Sequence, residues 1–191
     1  MNMLTDSHDA VTADWAAALL DFWFNEVGEA GWWEKDPALD QRCIARFGDL
    51  WQEKQALPPE AFLDRADEAL AAILLFDQLP RNMFRDTAQA FASDGLARDV
   101  ARGAIAHGYD IQIGGTGRLF FYMPFMHSEA LEDQETALSL FEGAGDDHWL
   151  GFARDHHAII ERFGRFPQRN AALGRTTLPD EEAAIAEGSQ W

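Results

Sequence analysis

The sequence predicts an all-α fold built from helix pairs, and three observations lead to this prediction. Apolar residues recur every three or four positions along almost the whole chain, which is the spacing of one helix face. No segment of strand length alternates apolar and polar residues. A short sequence motif that ends in proline recurs at nearly equal spacing, as a repeated helical unit would produce. We therefore expect a single all-helical domain over residues 1–191.

The N-terminal region, residues 11–57, is predicted to form tryptophan-rich helices. The first helix carries Trp15 and Trp23 on its inner face and ends near Gly28. Asp36 is a suitable N-cap for the next helix, and Pro37 suits its first position because proline there loses no hydrogen bond. The apolar stripe of this second helix consists of Leu39, Cys43, Ile44, Phe47, Leu50 and Trp51.

The rest of the chain is predicted to form helix–turn–helix units over residues 60–108, 118–143 and 147–187. The segment Tyr109–Arg118 is rich in glycine and is expected to be a flexible loop between two of them. The last helix, over residues 180–187, is acidic, and its carboxylates, like Gln134, are expected on the surface, either solvated or locally paired.

The repeated motif has phenylalanine four residues before proline, in Phe76–Pro80, Phe120–Pro124 and Phe163–Pro167. The three prolines are 44 and 43 residues apart. Proline lacks an amide hydrogen and disfavours helix in the residue before it. We therefore expect a helix to end before each proline, and stacking of the units to bring the three turns to one edge of the molecule.

Charge and composition exclude several classes of partner. The chain has 33 acidic and 15 basic side chains, a net charge of -18, and only Lys35 and Lys54 are lysines. Such a surface repels nucleic acids and anionic membranes. The single Cys43 forms no internal disulfide, and residues 1–10 have no signal-peptide pattern, so we expect a cytoplasmic protein. No cofactor or metal is predicted.

The turns that follow the three proline motifs contain basic and polar residues. Residues 152–175 carry five arginines against Asp155 and Glu161, a basic island in an acidic protein. Guanidinium groups match the shape of carboxylates and phosphates. The predicted binding cluster comprises Arg81, Asn82, Arg85, His127, Ser128, Glu129, His156, Arg165, Arg169, Asn170 and Arg175.

The same segments resemble the bacterial family known as domain of unknown function 924. The resemblance spans nearly the whole chain and rests on Leu75–Asn82, Tyr122–Phe125 with His127–Glu129, Arg162–Pro167 with Arg169–Asn170 and Leu173–Arg175, and Phe22–Phe24 with Trp33. It implies a TPR-like (tetratricopeptide-like) right-handed superhelix and no established activity. The family pattern has His where this chain has Gln168, and Glu where it has Met126.

Three functions remain open from the sequence. The first is non-catalytic binding of an anionic small molecule or a protein or peptide carboxylate by the cluster. The second is a metal-assisted hydrolase that uses His127, Glu129 and His156. The third is a protein-interaction scaffold, in which Trp32 or Trp33 faces a groove or a second subunit. We expect the protein to be a monomer or a weak homodimer. The plainer interpretation of the arginines is that Asp77 or Glu129 neutralises them internally, or that they cap helix ends.

Overall fold

The computed structural model describes residues 14–186 of the chain, and every regular element in them is helical, which confirms the all-α class. Residues 1–10, the predicted helix start at residue 11 and the predicted helix end at Glu187 lie outside these residues. The α-helices are α1 (Trp15–Asp21), α2 (Gly28–Trp32), α3 (Pro37–Lys54), α4 (Ala66–Ile73), α5 (Leu79–Met83), α6 (Asp94–Ala106), α7 (Tyr109–Ile113), α8 (Gly117–Met126), α9 (Leu131–Ala144), α10 (Asp147–Phe163) and α11 (Pro179–Ala186). Wider π turns occupy Phe22–Val27 and Leu74–Gln78, and 3-10 turns occupy Pro59–Phe62, Ala88–Phe91 and Pro167–Arg169.

Helix α3 begins where the sequence predicted. The Asp36 carboxylate accepts a hydrogen bond from the Ala38 amide at 2.8 Å, and Pro37 is the first helical residue. The predicted stripe is buried at Leu39, Cys43, Phe47 and Trp51, whereas Ile44 is exposed.

The prediction that a helix ends before Pro80 is wrong. Helix α4 continues through the π turn into α5, and Pro80 lies at the second position of α5. In the π turn the Leu79 amide bonds to the Leu74 carbonyl, five residues back. This wider turn gives the proline ring room, because in a regular α-helix the ring clashes with the carbonyl four residues earlier.

The same prediction is wrong for Pro124, which lies inside α8. Residues 119–126 of this helix are all buried in the core, so tertiary packing outweighs the local preference of proline. The prediction holds only for the third motif, Phe163–Pro167, where α10 ends at Phe163 and Gly164 adopts a left-handed conformation with φ of 67°.

The predicted loop Tyr109–Arg118 is also wrong in its first half, because Tyr109–Ile113 forms α7. Two contacts distant in sequence hold this turn of helix in place. The Tyr109 hydroxyl donates to the Leu63 carbonyl at 2.8 Å, and Asp110 accepts from the Tyr122 hydroxyl at 2.6 Å. The sequence signal for a loop came from Gly114 and Gly115, which do adopt positive φ after the helix ends.

The continuous helix formed by α4, the π turn and α5 runs through the middle of the core. Its residues from Ala69 to Leu79 are buried, including the polar Asp77 and Gln78. Helices α1, α6 and α8 pack against α4, and α3 packs against α5. The division into three helix–turn–helix units and their TPR-like superhelical stacking remain predictions. None of the described helices combines the length and apolar composition needed to cross a bilayer.

Candidate functional site

A buried carboxylate, Asp77, is the centre of the polar cluster. The π turn places it in the protein interior with no exposed surface. Its Oδ2 accepts a hydrogen bond from the Gln78 amide, and its main-chain carbonyl accepts one from Arg81. Burial opposes its ionisation, but the Arg81 guanidinium and His127 hold the pKa of Asp77 well below its ordinary value. Asp77 is therefore an anion at neutral pH.

His127, at the C-terminal end of α8, is bound to this carboxylate. Its Nδ1 lies 2.8 Å from Asp77 Oδ1 and 3.0 Å from Oδ2. Burial, aided by Arg81, lowers the pKa of His127 even though Asp77 opposes that shift. Since an ionised carboxylate only accepts, Nδ1 carries the hydrogen and Nε2 carries the lone pair. The side chain is 15% exposed.

Arg81 is fully paired. It binds Asp94 at the start of α6 through two hydrogen bonds of 3.0 Å, and its Nη1 lies 3.3 Å from Asp77 Oδ1. Two carboxylates thus surround one guanidinium, which explains how its charge is tolerated at this depth.

Arg169, on the 3-10 turn after Pro167, shares Asp94 with Arg81 but is bound less well. Its Nη1 lies 3.6 Å from Asp94 Oδ2, and its guanidinium makes no hydrogen bond to any residue in the range 14–186. It lies over the rings of Phe91 and Phe166 at 4.7 and 4.5 Å. Burial, together with repulsion from Arg81, lowers the pKa of Arg169 to about 10. Its charge is therefore the least compensated in the cluster.

His156, on α10, adjoins His127 with ring centroids 6.2 Å apart, and packs edge-on against Phe166. Its Nδ1 lies 2.8 Å from the Phe152 carbonyl, so Nδ1 donates. Burial, with His127 next in effect, lowers the pKa of His156 to about 3, and the ring is neutral at physiological pH.

Two of the predicted residues belong to a separate contact. Asn82 and Arg85 both bind Asp40 of α3, at 2.9 Å for the amide and at 2.7 and 2.9 Å for the guanidinium. This cluster attaches α5 and the residues after it to α3 and has a structural explanation.

The remaining predicted residues form two structural contacts near the C-terminal end of the described chain. Glu129 accepts from the Phe166 amide at 2.8 Å and binds Arg175 through both oxygens. The prediction that Glu181 lies on the surface is wrong, because the residue is buried, and it is paired with Arg165 and also binds Asn170.

The turn after His127 is also held internally. Ser128 donates to Asp133 at 2.7 Å, and its hydroxyl accepts from the Ala130 amide. The prediction that Gln134 lies on the surface is wrong: its amide is buried and donates to the Met126 and Ser128 carbonyls, which fixes the position of His127.

The structure therefore brings together Arg81, His127, His156 and Arg169 and separates them from the other predicted residues. Sequence reasoning missed Asp94 and Phe91, and it mentioned Asp77 only as an internal counter-ion. Their signal was weak because single acidic and aromatic residues are common in this chain. No three His, Cys, Asp or Glu residues in the described part of the chain are arranged to hold a metal ion, and Glu129 is engaged by Arg175.

Comparisons with known proteins agree with this fold. A family model described as bacterial protein of unknown function (DUF924) matches residues 19–189. The chain is similar to the solved structure of ATU0120, a protein of unknown function from Agrobacterium tumefaciens, with 41% identity and a TM-score of 0.86. That similarity covers 93% of this chain and 99% of the other. No curated protein matches. By the extent of the family match, the chain belongs to the DUF924 family of bacterial proteins of unknown function.

Proposed function

We propose that this protein binds an anionic group, a carboxylate or a phosphate, at the guanidinium of Arg169 beside His127. The observation that supports this proposal most strongly is the incomplete pairing of Arg169. A buried cation normally has a hydrogen-bonded counter-ion, because leaving it without one costs several kcal/mol. Here Asp94 is already bound by Arg81 through two hydrogen bonds, and only a 3.6 Å contact remains for Arg169.

The ring contacts of Arg169 also favour an external anion. Packing on Phe91 and Phe166 holds the guanidinium in place, but these ring contacts are not hydrogen bonds and leave its five N–H donors without an acceptor in the range 14–186. The side chain is 13% exposed, so part of it is accessible from solvent. Two parallel hydrogen bonds from one guanidinium to a carboxylate or phosphate are a strong and directional interaction.

His127 supplies the second polar contact in this proposal. Its Nε2 makes no hydrogen bond to a described residue, and Asp77 fixes the orientation of the ring. Nε2 accepts a hydrogen bond from a protonated ligand such as a phosphate monoanion. With a fully ionised ligand, the added negative charge raises the pKa of His127, and the protonated ring then donates. In both cases we propose that the ligand lies between Arg169 and His127.

The same electrostatics disfavour the metal-assisted hydrolase. A metal ion near His127 and His156 would lie close to the charges of Arg81 and Arg169, which already depress the pKa of His156. Cations that repel a proton from these rings repel a divalent ion as well. We therefore place Arg81, His127, His156 and Arg169 in an anion site, and give the other predicted residues structural roles.

Thermal unfolding in sodium phosphate and sodium acetate, against sodium chloride at equal ionic strength, tests the proposal. A ligand at ten times its Kd adds about 1.4 kcal/mol to the free energy of unfolding. For a chain of this size that raises Tm by about 3–6 °C. We expect the rise for the unaltered protein and for Arg162→Gln, a matched loss of charge next to Phe163. Arg169→Gln should abolish it. Equal shifts in both variants, or none with either anion, would rule the proposal out.

A further inference from the structure

A patch of exposed aromatic side chains lies at the N-terminal end of α10. Trp33 is 51% exposed and Phe152 is 39% exposed. Trp149 lies between them, with ring centroids 5.3 Å from Trp33 and 5.6 Å from Phe152, and His148 packs edge-on against Phe152 at 5.0 Å. Contiguous exposed aromatic surface in a soluble protein marks an interaction site more often than isolated apolar residues do.

This aromatic patch leads directly to the anion site. Trp149, Phe152 and His156 are three and then four residues apart, so they share one face of α10. The Phe152 carbonyl binds His156, the His156 ring contacts Phe166, and Phe166 contacts the Arg169 guanidinium. From His156 to Trp149 the helix rises about 10 Å, and Trp33 extends the stripe to about 15 Å.

The far end of the patch is acidic. Glu34 and Asp36 follow Trp33, and Asp146 and Asp147 precede Trp149. None of these four carboxylates forms an ion pair with a residue in the range 14–186, and the basic residue among residues 34–36 and 146–147 is Lys35. The surface thus changes from cationic at Arg169 through aromatic to anionic.

We propose that the ligand of this site is the C-terminal segment of a polypeptide, about four or five residues long, bound in an extended conformation. This inference rests on the proposed anion site. The terminal carboxylate binds Arg169 and His127. The side chains of the last residue and of the residue two before it point to the same side of an extended chain, and as large apolar groups they pack on Phe152, Trp149 and Trp33. A lysine or arginine further from the terminus lies beside the acidic residues at the far end.

The length and the order of the three surfaces favour a peptide over a small organic acid. An extended chain advances about 3.3 Å per residue, so four to five residues cover the 15 Å from His156 to Trp33. A small aromatic acid held at Arg169 reaches only the first ring of the stripe and leaves the acidic end without a counter-ion. A short peptide that has a carboxylate at its end, apolar side chains next to it and a basic side chain beyond them matches the cationic, aromatic and acidic surfaces in that order.

Fluorescence anisotropy with a labelled six-residue peptide tests the proposal. The peptide has two lysines at its N-terminal end, leucine or phenylalanine in its last three positions, and a free carboxylate. We expect amidation of the terminus, or replacement of both lysines by glutamate, to weaken binding at least tenfold. Phe152→Ala and Trp33→Ala should each weaken it about tenfold. Ile111→Ala, at an exposed apolar residue elsewhere, should leave it unchanged.

The outcomes separate this inference from the proposed function. If phosphate still stabilises the protein through Arg169 but the peptide binds no tighter than phenylpropionate, the peptide proposal is overturned and the anion site stands. Peptide binding that ignores amidation or survives Arg169→Gln also overturns it. If neither phosphate nor acetate stabilises the unaltered protein, the anion site itself fails. Retained phosphate binding in Phe152→Ala and Trp33→Ala shows that these variants are folded.

Discussion

His127 Nδ1 donates to the carboxylate of Asp77 across 2.8 Å, which joins the C-terminal end of α8 to the π turn in the central helix. The carboxylate is buried, and the histidine side chain retains a small exposed surface. A rigid, ionised partner inside the core thus fixes the orientation of a ring at its edge. The fold itself therefore fixes the direction of Nε2.

Loss of the Asp77 charge is expected to destabilise the protein strongly. Asp77→Asn keeps the shape of the side chain but leaves Arg81 and Arg169 with Asp94 as their nearest counter-ion. Removing one member of a buried charge cluster costs roughly 3–5 kcal/mol. Urea denaturation measures this free energy of unfolding. Asp67→Asn, which alters an exposed pair with Arg65, should change it by less than about 1 kcal/mol. Similar small losses in both variants would show that the Asp77 charge is dispensable.

The two arginines that share Asp94 are expected to respond differently to neutralisation. Arg81→Gln removes the bidentate partner of Asp94 and a neighbour of Asp77, so it should cost roughly 3–5 kcal/mol. Arg169→Gln loses two ring contacts and one long ion pair but relieves repulsion with Arg81, so the free energy of unfolding should change by less than about 1 kcal/mol. Chemical denaturation in phosphate-free buffer compares them. A large loss in Arg169→Gln would assign that residue to stability and not to binding.

Much of the fold is predictable from local pattern, because helix starts and apolar stripes are local. Asp36, Pro37 and the stripe that begins at Leu39 illustrate this. The proline rule failed at Pro80 and Pro124 because the cost of a proline in a helix is a few kcal/mol, and burial of the surrounding residues exceeds it. The rule describes an isolated helix, and both prolines lie in the core.

The candidate site was only partly predictable for a different reason. The sequence identified Arg81, His127, His156 and Arg169, but it grouped them with arginines whose counter-ions lie far away along the chain. Asp40 lies 45 residues from Arg85, and Glu129 lies 46 residues from Arg175. Which arginine is paired and which is not depends on such long-range contacts, and no local spacing reveals them.

Glu181 is expected to hold α11 against the rest of the protein. Its carboxylate binds Arg165 and Asn170 and accepts from the Leu178 amide at 2.8 Å. Glu181→Gln loses the charge-assisted pair and leaves Arg165 without its main partner. Limited proteolysis should then cut within residues 176–186 several times faster, while Glu182→Gln, which is exposed, should behave as the unaltered protein. An unchanged cleavage rate would show that apolar contacts alone hold the helix.

The buried His156 is expected to make stability depend on pH between about 6.5 and 3. In the unfolded chain its pKa is near 6.5, whereas burial lowers the pKa of His156 to about 3 in the folded protein. Between these values the unfolded chain binds a proton that the folded protein excludes. The free energy of unfolding therefore falls as the pH decreases, by about 1.4 kcal/mol per pH unit for one proton. Above pH 6.5 this contribution is fully present and constant.

Substitution of His156 separates this effect from those of other groups. His156→Asn keeps a donor for the Phe152 carbonyl but does not titrate. The dependence of the free energy of unfolding on pH between pH 6 and 4.5 should therefore become shallower by about 1.4 kcal/mol per pH unit, the contribution of one proton. The lowered pKa of His127 also makes the free energy of unfolding fall as the pH decreases, so His156→Asn should keep a shallower pH dependence than the unaltered protein. His148→Asn, at an exposed histidine, should retain the full slope in urea titrations at each pH. Identical slopes in the two variants would show that His156 titrates normally in the folded protein and is not enclosed beside the proposed anion site.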